Sequence, residues 1–584
     1  MKPWLSGLLL VATGCLDARL DELDVRSKQV KRDIERVNSQ LELLDAGVIR
    51  AERILQESGL TENFPSPYHP DQPLPEGHPT KPDVILLSID TLRADHLGAW
   101  GYERDTSPFL DQLATEGTQF RNAWSVSPWT LPSHTTMLSG QFPNRHGAIE
   151  DHIRIRPDLP LLQERFQAAD YATAGVVATM FVSSKYGFDR GFDYFQDFGV
   201  KDKKTNNLST VDAEHVFAHA LNWAQGQAEG TPLFAFVHVY DAHYGYNAPP
   251  PFDERFDRAP RIGDAVYRSY FDYKKQMISD EQLVHQVAQY DEEIAYIDHM
   301  FRDLVTRWRS SGRDLIVMVT ADHGEEFGER GSWGHAHTLY SEQLHVPWIV
   351  HGPGIRSQAL DQRVGLEDLA PTLVSLTGLT PLDVDGVDRT PTLKRGAPVY
   401  ARRAPGRYAE TSRFETLSYR WHEPPYDLVV DMKHGTRVLC HLRQDPGCTN
   451  NLYKNLQSRG VTMFKALTDH MGQPWKTAQD TDITLSPGTF LYQGTQRFKE
   501  AATLTSGQRF AVHPIDGRLR IGKESGEDGS DESPVFRALG KSCLHPDGSV
   551  LSYEGDFLCH DSEVVLDASD RDLLEQLGYL QEEP

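Results

Sequence analysis

The sequence predicts an α/β fold: a central mixed sheet flanked by helices, preceded by an N-terminal coiled-coil helix and followed by a smaller β-rich part. Three observations carry that expectation. Short runs rich in Val, Ile and Leu alternate with helical patterns between about residues 83 and 351. Apolar residues recur on a heptad over residues 17–58. From about residue 400 the pattern becomes β-rich and irregular. A chain of 584 residues holds one large domain with smaller additions. The divisions read from the sequence are 1–14, 15–62, 63–82, 83–470 and 471–584.

The first division reads as an export signal. Lys2 precedes the apolar run Leu5 to Ala12, and Thr13-Gly14-Cys15 follows. A cysteine at that point resembles the bacterial lipoprotein signal, in which Cys15 becomes the lipidated first residue. An ordinary signal peptide with an incidental cysteine is the alternative. The run is too short to span a bilayer. The resemblance implies a lipid anchor in a bacterial membrane, with the chain in the periplasm or on the cell surface.

The next division reads as a stalk. Leu20, Ile34, Leu41, Val48 and Leu55 share one heptad position, interrupted by Ser27, while Leu23, Val30, Val37, Leu44 and Ala51 share another. Five heptads of this kind favour self-association through a coiled coil over a helix folded back on the domain. Seven prolines between Phe64 and Asp83 then end the helix and make a semi-rigid spacer.

In the large domain, Asp83–Asp90, Thr173–Ala178, Leu233–Tyr240, Asp314–Thr320 and Val346–His351 are expected to be buried strands. Thr106–Glu116, Val211–Gln225 and Glu281–Arg309 are expected to be helices between them. The acidic run Lys523 to Ser533 suits a solvated loop. Beyond Cys15, an exported chain has Cys440, Cys448, Cys543 and Cys559 to pair, and short loops favour Cys440–Cys448 and Cys543–Cys559.

The formal net charge of -25, from 84 acidic and 59 basic residues, disfavours a nucleic-acid partner. It does not disfavour a small anion, because a bound cation inverts the local field. Two strand ends supply groups for such a cation. Val84 to Ile89 delivers Asp90, and Leu315 to Ala321 delivers Asp322 and His323 together, followed by Gly324. Carboxylates and an imidazole at strand ends suit a hard or borderline divalent ion. Thr130, in Ser127-Pro-Trp-Thr-Leu-Pro-Ser-His134, stands at the start of an expected helix. A hydroxyl there faces free N–H groups and the positive end of the helix dipole, and a nearby cation makes it a nucleophile. A simple capping threonine is the alternative.

Taken together these segments resemble the sulfatase family of the alkaline-phosphatase superfamily. Ile89-Asp-Thr-Leu-Arg-Ala-Asp-His-Leu-Gly98 is similar to its first metal-binding segment, and Thr130-Leu-Pro-Ser-His134 to its nucleophile motif. Phe236 to His243, Tyr290 to Asp298, Gly334 to Glu342 with Val346-Pro347, Asp368 to Thr372, Asp445-Pro446 with Asn451-Leu452, and Leu577 to Leu580 extend the likeness. The resemblance implies a divalent ion (Mn, Zn, Ca or Mg) held by Asp90, Thr130, Asp322 and His323. It implies catalytic or anion-binding work for Thr130, His243, His335 and His337, and substrate contacts from Ser133, His134 and Asn144. An anionic ester is the implied substrate. Three departures stand out: threonine replaces the Cys or Ser that relatives oxidise to formylglycine, His134 replaces an arginine, and Thr91 replaces an aspartate. Formylglycine is therefore not expected. A hydrolase or transferase of phosphate esters is the leading expectation, ahead of a sulfuric ester hydrolase, and ahead of a non-catalytic coiled-coil surface lipoprotein.

Overall fold

Asp83–Ile89 (β1) lies at the centre of the domain, and every residue of it is buried. Such a run has no polar face because helices or strands cover it on all sides. The computed structural model describes residues 73–149, 151, 153–198, 211–257, 280–394, 407–411, 418–431, 436–445 and 447–471, with short strand segments between 475 and 554. Cys15, the stalk over 15–62, the first ten residues of the spacer, Cys543, Cys559 and the C-terminal Leu577 to Leu580 lie outside the described residues.

The remaining strands of the main sheet are β2 (Thr118–Trp124), β3 (Ala172–Val177), β4 (Tyr194–Asp197), β5 (Leu233–Val239) and β6 (Leu315–Thr320). After a hairpin of β7 (Glu326–Phe327) and β8 (Trp333–Gly334) come β9 (His345–His351) and β10 (Gln358–Gly365). The order across the eight-stranded sheet is β10-β2-β9-β6-β1-β5-β3-β4. Only β9 runs against its neighbours β2 and β6, so the sheet is mixed as expected. The five expected strands form. Three more, β2, β4 and β10, were not anticipated, and β10 at the edge exposes alternate residues of a polar sequence.

The expected helices form as α1 (Pro108–Glu116), α2 (Thr130–Ser139), α3 (Ala213–Gln225) and α4 (Asp280–Ser310). Asp212 caps α3 by accepting from the His215 N–H at 3.1 Å. α1 is capped from another element: the Asp298 carboxylate on α4 accepts from Phe109 N and Leu110 N at 3.0 and 2.7 Å. α2 is buried along its whole length. Gly140 ends it in the left-handed region, where a Cβ would meet Val384 Cγ1 at 2.6 Å.

Beyond the main sheet, β11 (Arg407–Thr411), β12 (Ser418–Glu423), β13 (Tyr426–Asp431) and β14 (Thr436–His441) make a four-stranded antiparallel sheet. α5 (Gln457–Met471) covers it, with Met463, Phe464 and Leu467 packed among Tyr408, Trp421 and Leu439. This is the smaller C-terminal β part. Cys440 on β14 is disulfide-bonded to Cys448, the short-loop pairing the sequence favours. Further on, Thr481–Thr484 pairs with Ala501–Leu504 among other short antiparallel segments. Among the described residues no helix is long and apolar enough to cross a membrane.

Candidate active site and metal centre

The carboxyl ends of β1 and β6 lie side by side in parallel register. Asp90 follows β1, and Asp322 and His323 follow β6. One ligand atom from each lies within 4.8 Å of the others, and all three residues are buried. The His323 ring is oriented by its neighbour: Nδ1 donates to the Gly324 carbonyl at 2.9 Å. A carbonyl only accepts, so Nδ1 carries the proton and Nε2 presents a lone pair. That lone pair lies 3.2 Å from Asp322 Oδ2 and 3.7 Å from Asp90 Oδ1. Neither oxygen has a hydrogen-bond partner. Three acceptors thus converge in a buried place, two of them carboxylate oxygens without a hydrogen-bond partner, which is the arrangement a divalent cation satisfies.

The electrostatics agree. Burial pushes the Asp90 carboxyl well above the usual range, the Glu325 charge adds to this, and a hydrogen bond from Thr130 opposes it. Burial and then the Asp90 charge push Asp322 up likewise. Burial and the neighbouring His335 hold His323 well below an ordinary imidazole. A cation at the cluster reverses the cost of both carboxylates and leaves the imidazole neutral, the form that ligates.

Thr130 opens α2 as its first residue, preceded by Trp129 in extended conformation. Its Oγ1 is 3.5 Å from His323 Nε2, so the hydroxyl and the cluster adjoin. Pro132 sits in the first turn, where its missing N–H breaks no helical bond. Thr91 stands in the left-handed region at φ 56°, an uncommon place for a β-branched residue. Its N–H donates to Asp322 Oδ1 at 3.3 Å, and its hydroxyl donates to the Ala242 carbonyl at 2.6 Å. The Thr91 hydroxyl thus ties this turn to the loop that carries His243.

Around this centre the histidines divide. The His335 ring lies 4.5 Å from His323 and 4.8 Å from His243, and His243 stacks on Tyr240 at 4.1 Å. His335 Nδ1 is 2.9 Å from Glu325 Oε1. His337 is engaged by neighbouring groups of the chain. Its Nε2 meets Glu326 Oε2 at 3.1 Å and its Nδ1 the His335 carbonyl at 2.8 Å, so both nitrogens serve the β7–β8 hairpin.

The three expected substrate contacts stand as follows. Ser133 donates to the Ser127 carbonyl at 2.8 Å and lies 3.0 Å from Ser125 Oγ, so its hydroxyl shapes the turn before α2. His134 is wholly buried, its Nδ1 donating to the Thr130 carbonyl and its Nε2 accepting from Ser88, each at 2.9 Å. It lies 3.5 Å from Asp322 Oδ2, beside a metal-ligand candidate. The Asn144 side chain lies outside the described residues. Residues the sequence did not single out include His238, whose Nε2 is 3.1 Å from Asp90 Oδ2, and Glu325. A histidine in the apolar strand Leu233–Val239 was the available signal for the first, and an acid two residues after His323 for the second.

The sulfatase family profile matches residues 82–379 of this chain. A Delta 4,5-hexuronate-2-O-sulfatase of Bacteroides thetaiotaomicron is 23% identical over 444 residues, covering 67% of this chain and 88% of its own length. The human N-acetylgalactosamine-6-sulfatase is 26% identical over 377 residues, covering 55% of this chain and 67% of its own. Among solved structures, a phosphonate monoester hydrolase from Silicibacter pomeroyi superposes with a TM-score of 0.56 at 18% identity, covering 67% of this chain and 96% of that one. That likeness concerns the fold.

Proposed function

The chain belongs to the sulfatase family of ester hydrolases, and from that premise we propose that it cleaves phosphate esters through Thr130, by a metal-dependent hydrolase or transferase reaction. The observation that carries this reading is the position of the Thr130 hydroxyl: at the head of a ten-residue buried helix, beside the converging acceptors of Asp90, Asp322 and His323.

A divalent cation held by Asp90, Asp322 and His323 supplies Lewis acidity, which acidifies an adjacent hydroxyl and draws charge off an ester oxygen. The remaining steps belong to the chain. Thr130 Oγ1 gives its proton to a water of the site and attacks phosphorus, and the bond from phosphorus to the leaving oxygen breaks with its electron pair on that oxygen. N–H groups of the first turn of α2 hold the equatorial oxygens, with none contributed by Pro132. His243 and His335, whose rings adjoin, deliver a proton to the leaving oxygen in this reading, and Glu325 orients the second of them. Water, or an acceptor alcohol, then attacks phosphorus, the bond from phosphorus to Thr130 Oγ1 breaks, and the proton of the attacking group restores the Thr130 hydroxyl.

Threonine favours phosphate over sulfate. The family's sulfate chemistry uses formylglycine, whose aldehyde hydrate eliminates sulfate. Threonine cannot give that aldehyde, so a threonyl sulfate has no such exit. Sulfatase activity proper is the second reading, and the sulfatases among the named relatives favour it. Delivery to a bacterial membrane through Cys15, with self-association through residues 15–62, completes the proposal from the sequence alone.

The test is a metal-replete assay of the full chain on a phosphate monoester, a phosphate diester and a sulfate ester, with metal content measured alongside. Phosphate ester cleavage that a chelator abolishes is expected. Faster sulfate cleavage overturns the preference, and no cleavage of any ester overturns the reading.

A further inference from the structure

His238 has no part in the reaction described above. It sits on β5 opposite Ser88 of β1 and is wholly buried. Its Nδ1 faces the Ala178 N–H just beyond β3, at 3.4 Å. An amide N–H only donates, so Nδ1 is the bare nitrogen and Nε2 carries the proton. Nε2–H then donates to Asp90 Oδ2 at 3.1 Å. The His134 ring stands edge-on at 4.9 Å and limits rotation of the imidazole. One oxygen of Asp90 is therefore tied back to β5, while Oδ1, the oxygen facing His323, has no donor.

We propose that His238 is a positioning residue for the cation: its Nε2–H fixes the Asp90 carboxylate so that Oδ1 faces the metal cluster, and this raises cation affinity. The inference rests on the reading of Asp90, Asp322 and His323 as a cation site. Its physical basis is general. A carboxylate free to rotate must be ordered when the ion binds, and a partner on its far side removes that cost. A histidine that merely fills the core would affect stability and leave affinity alone.

The experiment measures Zn2+ affinity of the full chain by competition with a chromophoric chelator, with thermal melting of each variant beside it. His238→Phe keeps a ring and removes the donor, and its affinity falls about 10–100-fold. His238→Gln places an amide N–H near the lost Nε2 and recovers most of that loss. His238→Asn is polar but too short to reach Asp90, so it behaves like the phenylalanine variant. Wild-type affinity in both the Phe and Asn variants, whatever their melting, overturns the proposal. If His238→Phe does not fold, Gln against Asn decides, and equal affinities overturn it. Asp322→Ala separates the two claims. Wild-type affinity there refutes the cation site itself, whereas lost affinity there with unaltered His238 variants refutes only the positioning role.

Discussion

The two ends of β1 each bury an aspartate, and the two could hardly be treated more differently. At the start of the strand, Asp83 is saturated. Its Oδ1 accepts from Leu233 N at 3.0 Å and Arg313 Nη2 at 2.9 Å, and its Oδ2 accepts from Trp308 Nε1 at 2.7 Å and from Arg313 Nε. Just past the end of the strand, Asp90 Oδ1 accepts nothing, Asp322 Oδ2 accepts nothing, and the next residue, Thr91, is held at a positive φ. A buried carboxylate with partners on both oxygens is structure; buried carboxylates that each leave one oxygen unbonded, facing one another, suit a further ligand. The difference separates stability from chemistry within one strand.

That comparison can be broken by substitution, and the largest effect belongs to the chemical end. Thr130→Ala should lower turnover at least about a thousandfold while the cation stays bound, because a nucleophile removed from a working set takes most of the rate with it. Thr130→Ser should keep measurable turnover, since the hydroxyl survives. Steady-state rates with metal content of each variant check this.

Asp322→Ala should lower cation affinity by more than about 100-fold, beyond what loss of an outer partner costs. In metal-free protein the same change should leave the melting temperature unchanged or raised, because it relieves the repulsion from Asp90 that pushes the Asp322 carboxyl up. A marked fall in melting temperature of the metal-free variant would erase the contrast between the two ends.

Asp83→Ala should do the reverse. It strands a buried guanidinium and should cost roughly 3–5 kcal/mol of unfolding free energy, read from denaturant curves. Zn2+ affinity of the folded protein should not change.

The smallest effect tests the site's surroundings. His146 accepts from the Ala148 N–H at Nδ1 and lies 3.0 Å from Thr136 Oγ1 at Nε2, so it is buried neutral beneath α2. Burial and then the Arg156 charge push its pKa from 6.5 down to about 3. The unfolded chain therefore binds the extra proton first, and stability drops as pH falls through 6.5 toward about 3. At about pH 5.5 the loss is about 1.4 kcal/mol. Replacing His146 by Gln should flatten the pH dependence of stability in that window by about this amount.

Much of this arrangement was legible in the sequence because the central strands have simple physics. β1, β5 and β6 are buried on both faces, so each reads as an unbroken apolar run, and the acids that end them are conspicuous. β2 and β10 were not legible, because strands toward the edge carry Gln, Arg, Asn and Asp among their residues and leave several of them half-buried or exposed. The ligand cluster was legible as residue types at strand ends. The side chains that support it were not. His238 occupies a strand buried at every position, so no alternation reveals which way it points. His134 follows Thr130 by four residues, and sequence spacing does not say that its ring turns back to the Thr130 carbonyl. His337 is two residues from His335, yet Glu326 draws it into the hairpin. Motif positions identify candidates, and hydrogen-bond partners then sort them.

The measurement that bears most directly on the central claim is mass spectrometry of the peptide carrying Thr130, from resting protein and from protein quenched during turnover of a phosphate ester. Thr130 should be unmodified at rest and should carry the substrate's phosphoryl portion after quenching, with no adduct in the Thr130→Ala protein. An adduct on a different residue, or wild-type turnover by Thr130→Ala with no adduct on this peptide, would make Thr130 the first residue of a helix and nothing more.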